Sequence, residues 1–118
     1  MSKQNKEHYG KTMKLMEQLG QAIPQTMGTY NRLHRVVTED GALSLKVKEL
    51  MALGIAITVR CDGCIAYHVQ QSLSAEATYE EIVETIGVAI MMGGGPSIMY
   101  GCEALDALEQ IKAFGTKE

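Results

Sequence analysis

The chain contains no tryptophan, one phenylalanine and two prolines in 118 residues. With aromatic residues at 5 %, the interior must be built from Leu, Ile, Val, Ala and eight Met. Such side chains suit helices that pack closely on small and flexible groups. Charge of one sign is also missing: 11 basic residues stand against 14 acidic ones, scattered along the chain, for a net charge of −3. That balance leaves no nucleic-acid footprint. The opening MSKQNKEHYGKT has no apolar core of a secretory signal. Apolar runs such as Leu50 to Ile57 are too short to span a bilayer. The expectation is therefore a soluble, cytoplasmic protein with neither nucleic acid nor membrane as a partner. Cysteine is scarce and odd in number, at three, which argues against a disulfide framework. In a reducing compartment, a close cysteine pair points instead to catalysis or metal binding.

What is present is an ordinary 46 % of apolar residues and enough length to bury one core. No linker, repeat or low-complexity tract divides the chain, so residues 1–118 are expected to form a single domain. The apolar spacing is helical nearly throughout. Tyr9, Met13, Met16 and Leu19 mark the face of a first helix that Gly20 should end. Pro24 suits the opening of a second, with Met27, Tyr30, Leu33 and Val37 on its face and Gly41 as a left-handed cap. Ser44 is a candidate N-cap for a third helix running to Val59, apolar nearly all round and therefore expected to be buried on every side. A fourth helix should run from Cys61 or Asp62 to about Leu73. Thr78 and Glu81 form a capping box for a fifth, with Ile82, Val83, Ile86 and Ile90 facing inward. Gly93-Gly94-Gly95-Pro96 breaks the chain before a last helix with Ile98, Cys102, Leu105, Leu108 and Ile111 on its apolar stripe. The fold class is an all-α bundle of about six helices.

The stretch R-C-D-G-C-I-A-Y-H places Cys61 and Cys64 three residues apart and His68 four residues further on. On a helix these three share one face. Thiols one turn apart lie within reach of a disulfide, and a helix N-terminus favours the thiolate, the nucleophilic form. His68 can relay a proton near neutrality. Glu49, twelve residues before Cys61, sits in the most apolar helix, where an unpaired charge is costly. It needs a partner (Arg60, a lysine or a polar cluster) or serves in proton transfer. Zinc is the competing reading, but Cys61, Cys64 and His68 are three ligands where a structural site needs four, and His34 or His8 could complete it only if the fold brought one in. A thioredoxin reading fails because no βαβ pattern surrounds the motif. The dipole favours Cys61 as nucleophile, while adjacency to His68 favours Cys64.

The combination of Glu49, Cys61-x-x-Cys64 and His68, flanked by L-S-L-K-V-K-E-L and A-T-Y-E-E-I-V-E-T, resembles the alkylhydroperoxidase D-like proteins of the carboxymuconolactone decarboxylase superfamily. The likeness covers roughly Pro24 to Gly95. It implies an all-helical homo-oligomer, commonly a trimer or hexamer, and thiol peroxidase or disulfide-reductase chemistry. It further implies that Cys64 attacks a small-molecule hydroperoxide, that Glu49 and His68 relay the proton, and that Cys61 closes the redox disulfide. No bound cofactor is implied. An external dithiol electron donor protein, in some members lipoyl-bearing, would reopen the bridge. The better-known peroxidases carry a histidine immediately before the second cysteine, where this chain has Gly63. The alternatives are general dithiol–disulfide exchange, another reaction of the superfamily, and a non-catalytic oligomeric binding protein.

The remaining polar residues carry bland expectations. His8 and His34 lie on amphipathic helices without companions and are expected to be structural or surface residues. Cys102 is expected in the core, Tyr67 in helix packing, and the methionines in the interior. Gly93 to Gly95 lacks the following Lys-Ser/Thr of a phosphate loop.

Overall fold

A computed structural model describes residues 3–115, with side chains at residue 7 and at residues 10–112. Six helices follow one another: α1 Lys3–Ala22, α2 Pro24–Thr38, α3 Leu45–Thr58, α4 Asp62–Ser74, α5 Tyr79–Gly93 and α6 Gly95–Gly115. No strand occurs among the described residues. The fold is all-α. The expected positions of the His8 and Tyr9 side chains fall outside the described ones.

Local chemistry explains most boundaries. Pro24 opens α2, where its missing N–H costs nothing. Gly20 does not end α1, which continues to Ala22; a single glycine only weakens a helix. Gly41 does not take the expected left-handed cap either. The chain leaves α2 through an extended Glu39, and side chains close the loop instead. Asp40 Oδ1 accepts from the Leu45 N–H at 2.6 Å, and Lys48 Nζ donates to the Glu39 carbonyl at 2.6 Å. Ser44 Oγ accepts from the Val47 N–H at 3.2 Å, the expected N-cap of α3. At α5 the capping box is complete: the Thr78 N–H donates to Glu81 Oε1 at 2.8 Å and the Glu81 N–H to Thr78 Oγ1 at 3.1 Å. Lys46 Nζ also reaches Glu81 Oε2 at 2.9 Å, tying the starts of α3 and α5 together. The Thr78 N–H, with help from Lys46, holds the Glu81 carboxyl below the usual carboxylate range.

The core lies where α3 packs on α4, α5 and α6. Leu53, Ile57, Ile65, Val69, Ile82 and Leu108 are fully buried there, each contributing about 1.5–3 kcal/mol relative to exposure. Ile82, Ile86 and Ile90 face inward as expected, whereas Val83 lies on the open side at 39 % exposure. On α6 the expected stripe holds only at its end, at Leu108 and Ile111. Ile98, Cys102 and Leu105 face outward, and the buried face is Ser97, Gly101, Ala104, Ala107 and Leu108. Small residues win that face because α6 approaches α5 closely. A Cβ on Gly101 would meet Ile86 Cγ2 at 2.8 Å. At the α5–α6 corner Gly94 adopts φ 72°, the left-handed region that glycine enters without penalty.

The expectation that α3 is covered on all sides is not met. Glu49, Leu53, Ala56 and Ile57 are buried, but Met51 and Ile55 are 51 % and 60 % exposed. The other helices pack against α3 along one side, and among the described residues nothing covers Met51 and Ile55 on the other. Most of the described methionines are likewise not interior: Met91, Met92 and Met99 are exposed, while Met27 is partly buried. So are Tyr30, Leu33 and Val37, the expected inner face of α2. No described helix is long and apolar enough to cross a membrane.

Candidate functional site

The cysteines owe their position to the way α3 ends. Val59 is its C-cap, and Arg60 takes the left-handed conformation with φ 63°. The Arg60 N–H donates to the Ile57 carbonyl at 3.2 Å and the Cys61 N–H to the Ala56 carbonyl at 3.1 Å. This pair of bonds is a Schellman motif, with arginine where glycine is usual. Cys61 leaves it with φ −107° and ψ 98° and becomes the N-cap of α4. Its carbonyl accepts the first helical bond, from the Ile65 N–H at 2.9 Å. A single turn thus ends the apolar helix, reverses the chain and sets both cysteines at a helix start.

The reversal also brings Glu49 back to α4. Its side chain is 3 % exposed, and Oε2 lies 2.8 Å from His68 Nδ1, itself 18 % exposed. Among the described residues neither Arg60 nor a lysine answers the buried carboxylate; the histidine does. A carboxylate at Nδ1 fixes that nitrogen as the protonated one and leaves Nε2 as the atom that can take or return a proton. The approach that the hairpin had to supply is made.

Cys61 and Cys64 are joined as a disulfide with their Cα atoms 5.2 Å apart. Cys64 is exposed and Cys61 half-buried, so the sulfur nearer His68 in sequence is also the more open one. Cys102, expected in the core, is a free and exposed thiol. It lies on the outer side of α6, opposite the small-residue face. Among the described residues no three His, Cys, Asp or Glu side chains converge as a metal cage.

Sequence reasoning missed a carboxyl pair beside the cysteines. Asp62, inside the Cys-x-x-Cys loop, hydrogen-bonds Glu103 of α6. Burial, then that hydrogen bond, then the charges of Asp62 and Asp106 push the Glu103 carboxyl from 4.5 up to about 7. The folded protein therefore holds a proton there that the unfolded chain releases. Stability from this group is complete below pH 4.5 and is lost as pH rises through about 7. Because Glu103 remains partly hydrated, solvent screening reduces the effect to on the order of 1 kcal/mol. Glu103→Gln, which cannot ionise, should flatten the decline. The oxidised variant should melt about 4 °C above wild type at pH 8 and level with it at pH 4.5, read by thermal denaturation.

The second missed residue is His34. It was expected to lack companions, yet its ring stacks on Tyr67 at 5.9 Å and on His68 at 6.5 Å between centroids. Tyr67 and His68 stack in turn at 5.0 Å, with ring planes 6° apart. Along the described α2, Met27, His34 and Thr38 are the residues withdrawn from solvent. Their spacing of seven and four is a helical stripe, but the larger Tyr30, Leu33 and Val37 masked it in the sequence. A cavity of about 600 Å³, open to solvent, is lined by Asp40, Ser44, Leu45, Lys46, Ser74, Ala75 and Glu76. None of the site's side chains borders it.

Comparison with known proteins supports one grouping. The profile of the carboxymuconolactone decarboxylase family matches residues 24–107. A carboxymuconolactone decarboxylase family protein from Legionella pneumophila, solved in its apo form, superposes with a TM-score of 0.87 at 38 % identity, covering 92 % of this chain and 97 % of that one. A Thermotoga maritima member, described in connection with an antioxidative response, gives a TM-score of 0.75 at 31 % identity, over 80 % of this chain and 97 % of its own. An uncharacterised Cupriavidus necator protein is 39 % identical over 95 residues, 80 % of this chain and 84 % of its length. With most of its length matched in sequence and in fold, the chain belongs to the carboxymuconolactone decarboxylase family.

Proposed function

We propose that the protein is a thiol oxidoreductase that reduces small hydroperoxides through Cys61 and Cys64. The observation that carries this reading is the buried hydrogen bond between Glu49 of α3 and His68 of α4, the helix that begins at the cysteine pair. The connection of the Thermotoga relative with an antioxidative response supports it. His68 Nε2 takes the Cys64 proton, and the thiolate attacks the terminal oxygen of the hydroperoxide. The S–O bond forms as the O–O bond breaks, and the alkoxide leaves as alcohol with the proton that His68 held. Cys64 is then a sulfenic acid. The Cys61 thiol displaces water from it, closing the disulfide. An external dithiol reopens the bridge by exchange and leaves as its own disulfide. The open position of Cys64 suits a dithiol carried on a protein, such as a dihydrolipoyl group.

General dithiol–disulfide exchange is the second reading, favoured by the closed Cys61–Cys64 bridge with its exposed Cys64. Titrating thiols before and after addition of cumene hydroperoxide separates the two. Loss of two thiols with a Cys61–Cys64 bridge supports the peroxidase. Intact thiols in a protein whose bridge dihydrolipoamide still reduces leave exchange alone. We also propose that the active form is a homo-oligomer, a trimer or hexamer, which would cover Met51, Ile55, Met91 and Met92. Light scattering at the monomer mass would remove that part.

A further inference from the structure

His34 is the residue this site does not yet use. It is the one ring that α2 contributes to the face of α4 carrying His68, and it packs against Tyr67 and His68 together. A ring serving only as a spacer would be apolar. Instead the imidazole Nε2 is buried without a hydrogen-bond partner among the described residues. Leaving a buried polar group unanswered costs on the order of 1–3 kcal/mol. Among the described residues the His34 ring meets those of Tyr67 and His68 from α4, and Glu49 of α3 holds His68. Glu49 Oε2 is engaged by Nδ1 of His68, and among the described residues no hydrogen bond joins Glu49 to His34 Nε2.

We propose that His34 is a substrate-contacting residue, whose Nε2–H donates a hydrogen bond to the hydroperoxide oxygen that leaves as alcohol. This rests on the peroxidase reading above and assigns the relay a second imidazole. The two rings divide the work. His68, oriented by Glu49, carries the proton from the Cys64 thiol to the departing oxygen. His34 keeps its own proton and stabilises the negative charge that grows on that oxygen as the O–O bond breaks. The overall step remains thiol plus hydroperoxide to sulfenic acid plus alcohol. No part of it requires His34 in the later exchange with a dithiol, where only sulfur atoms react.

The test separates the two half-reactions. His34→Phe keeps a ring for the stack and removes the nitrogen; His34→Gln restores a donor at nearly the same reach. The second-order rate of thiol oxidation by cumene hydroperoxide should fall roughly tenfold to a hundredfold in His34→Phe and recover in part in His34→Gln. Reduction of the disulfide by dihydrolipoamide should fall by no more than about threefold in either, the residual effect of a disturbed stack. Equal losses in both half-reactions, with no recovery in His34→Gln, would make His34 a packing residue and overturn the proposal. So would an undiminished oxidation rate in His34→Phe. If wild-type protein itself keeps its thiols in hydroperoxide, the peroxidase reading fails and takes this role with it. A wild type that reacts alongside an indifferent His34→Phe rejects only the role of His34.

Discussion

Cys64→Ser is expected to abolish peroxide consumption, lowering it roughly a thousandfold or more to the rate of an unassisted thiol. The reasoning starts from accessibility. Cys64 is the exposed member of the pair, whereas Cys61 is half-buried at the N-cap. The helix dipole acts on both, since both lie at the start of α4. What distinguishes them is the turn from Cys64 to His68, whose ring is held by Glu49 at 2.8 Å. Cys61→Ser should behave differently. Its first turnover with hydroperoxide should proceed near the wild-type rate and stop at a sulfenic acid on Cys64, trapped by a carbon nucleophile and read by mass spectrometry. A trapped sulfenic acid on Cys61 in the Cys64 variant, with none in the converse experiment, would exchange the two roles.

The helix starts were legible in the sequence because each is written in a few adjacent residues: Pro24 for α2, Ser44 for α3, and Thr78 with Glu81 for α5. Spacing put Cys61, Cys64 and His68 along one face, and the structure keeps them at the start and first turns of α4. Faces were harder. Periodicity ranks residues by how apolar they are, yet a close helix contact selects the smallest ones, so Gly101 and Ala104 lie inside while Ile98 and Leu105 lie outside. For α3 the apolar pattern predicts burial on all sides, but the described helices cover one side only. The Glu49–His68 contact was legible as a need, a buried acid wanting a partner; the αL turn at Arg60 that answers it was not. His34 and Glu103 were out of reach for a plainer reason. Each meets the site from another helix, at a sequence distance that no local pattern bridges.

Replacing Glu49 is expected to cost both stability and activity, and the two losses have different origins. Glu49→Ala leaves the histidine without the group that fixes its ring and opens a gap at a position 2 % exposed. Losing a buried hydrogen bond to a charged group costs about 1.5–3 kcal/mol, and the gap left by the side chain adds to it. His68 retains some hydration, so the expected loss is about 2–3 kcal/mol, read as the unfolding free energy in urea. Glu49→Gln keeps the volume and still offers an oxygen to Nδ1, so most of that stability should return. Activity should not return with it. The neutral amide no longer stabilises the imidazolium that forms when His68 takes the Cys64 proton, and the hydroperoxide rate should remain roughly a hundredfold down. His68→Asn should give a similar loss, because either change removes the same function. If Glu49 and His68 act as one relay, the Glu49→Gln, His68→Asn double variant is no slower than the worse single one. Multiplicative losses would mean that the carboxylate works on the cysteines through the local field and not through the histidine. The dihydrolipoamide step discriminates once more: a relay needed only to activate Cys64 towards peroxide leaves that step the less affected of the two.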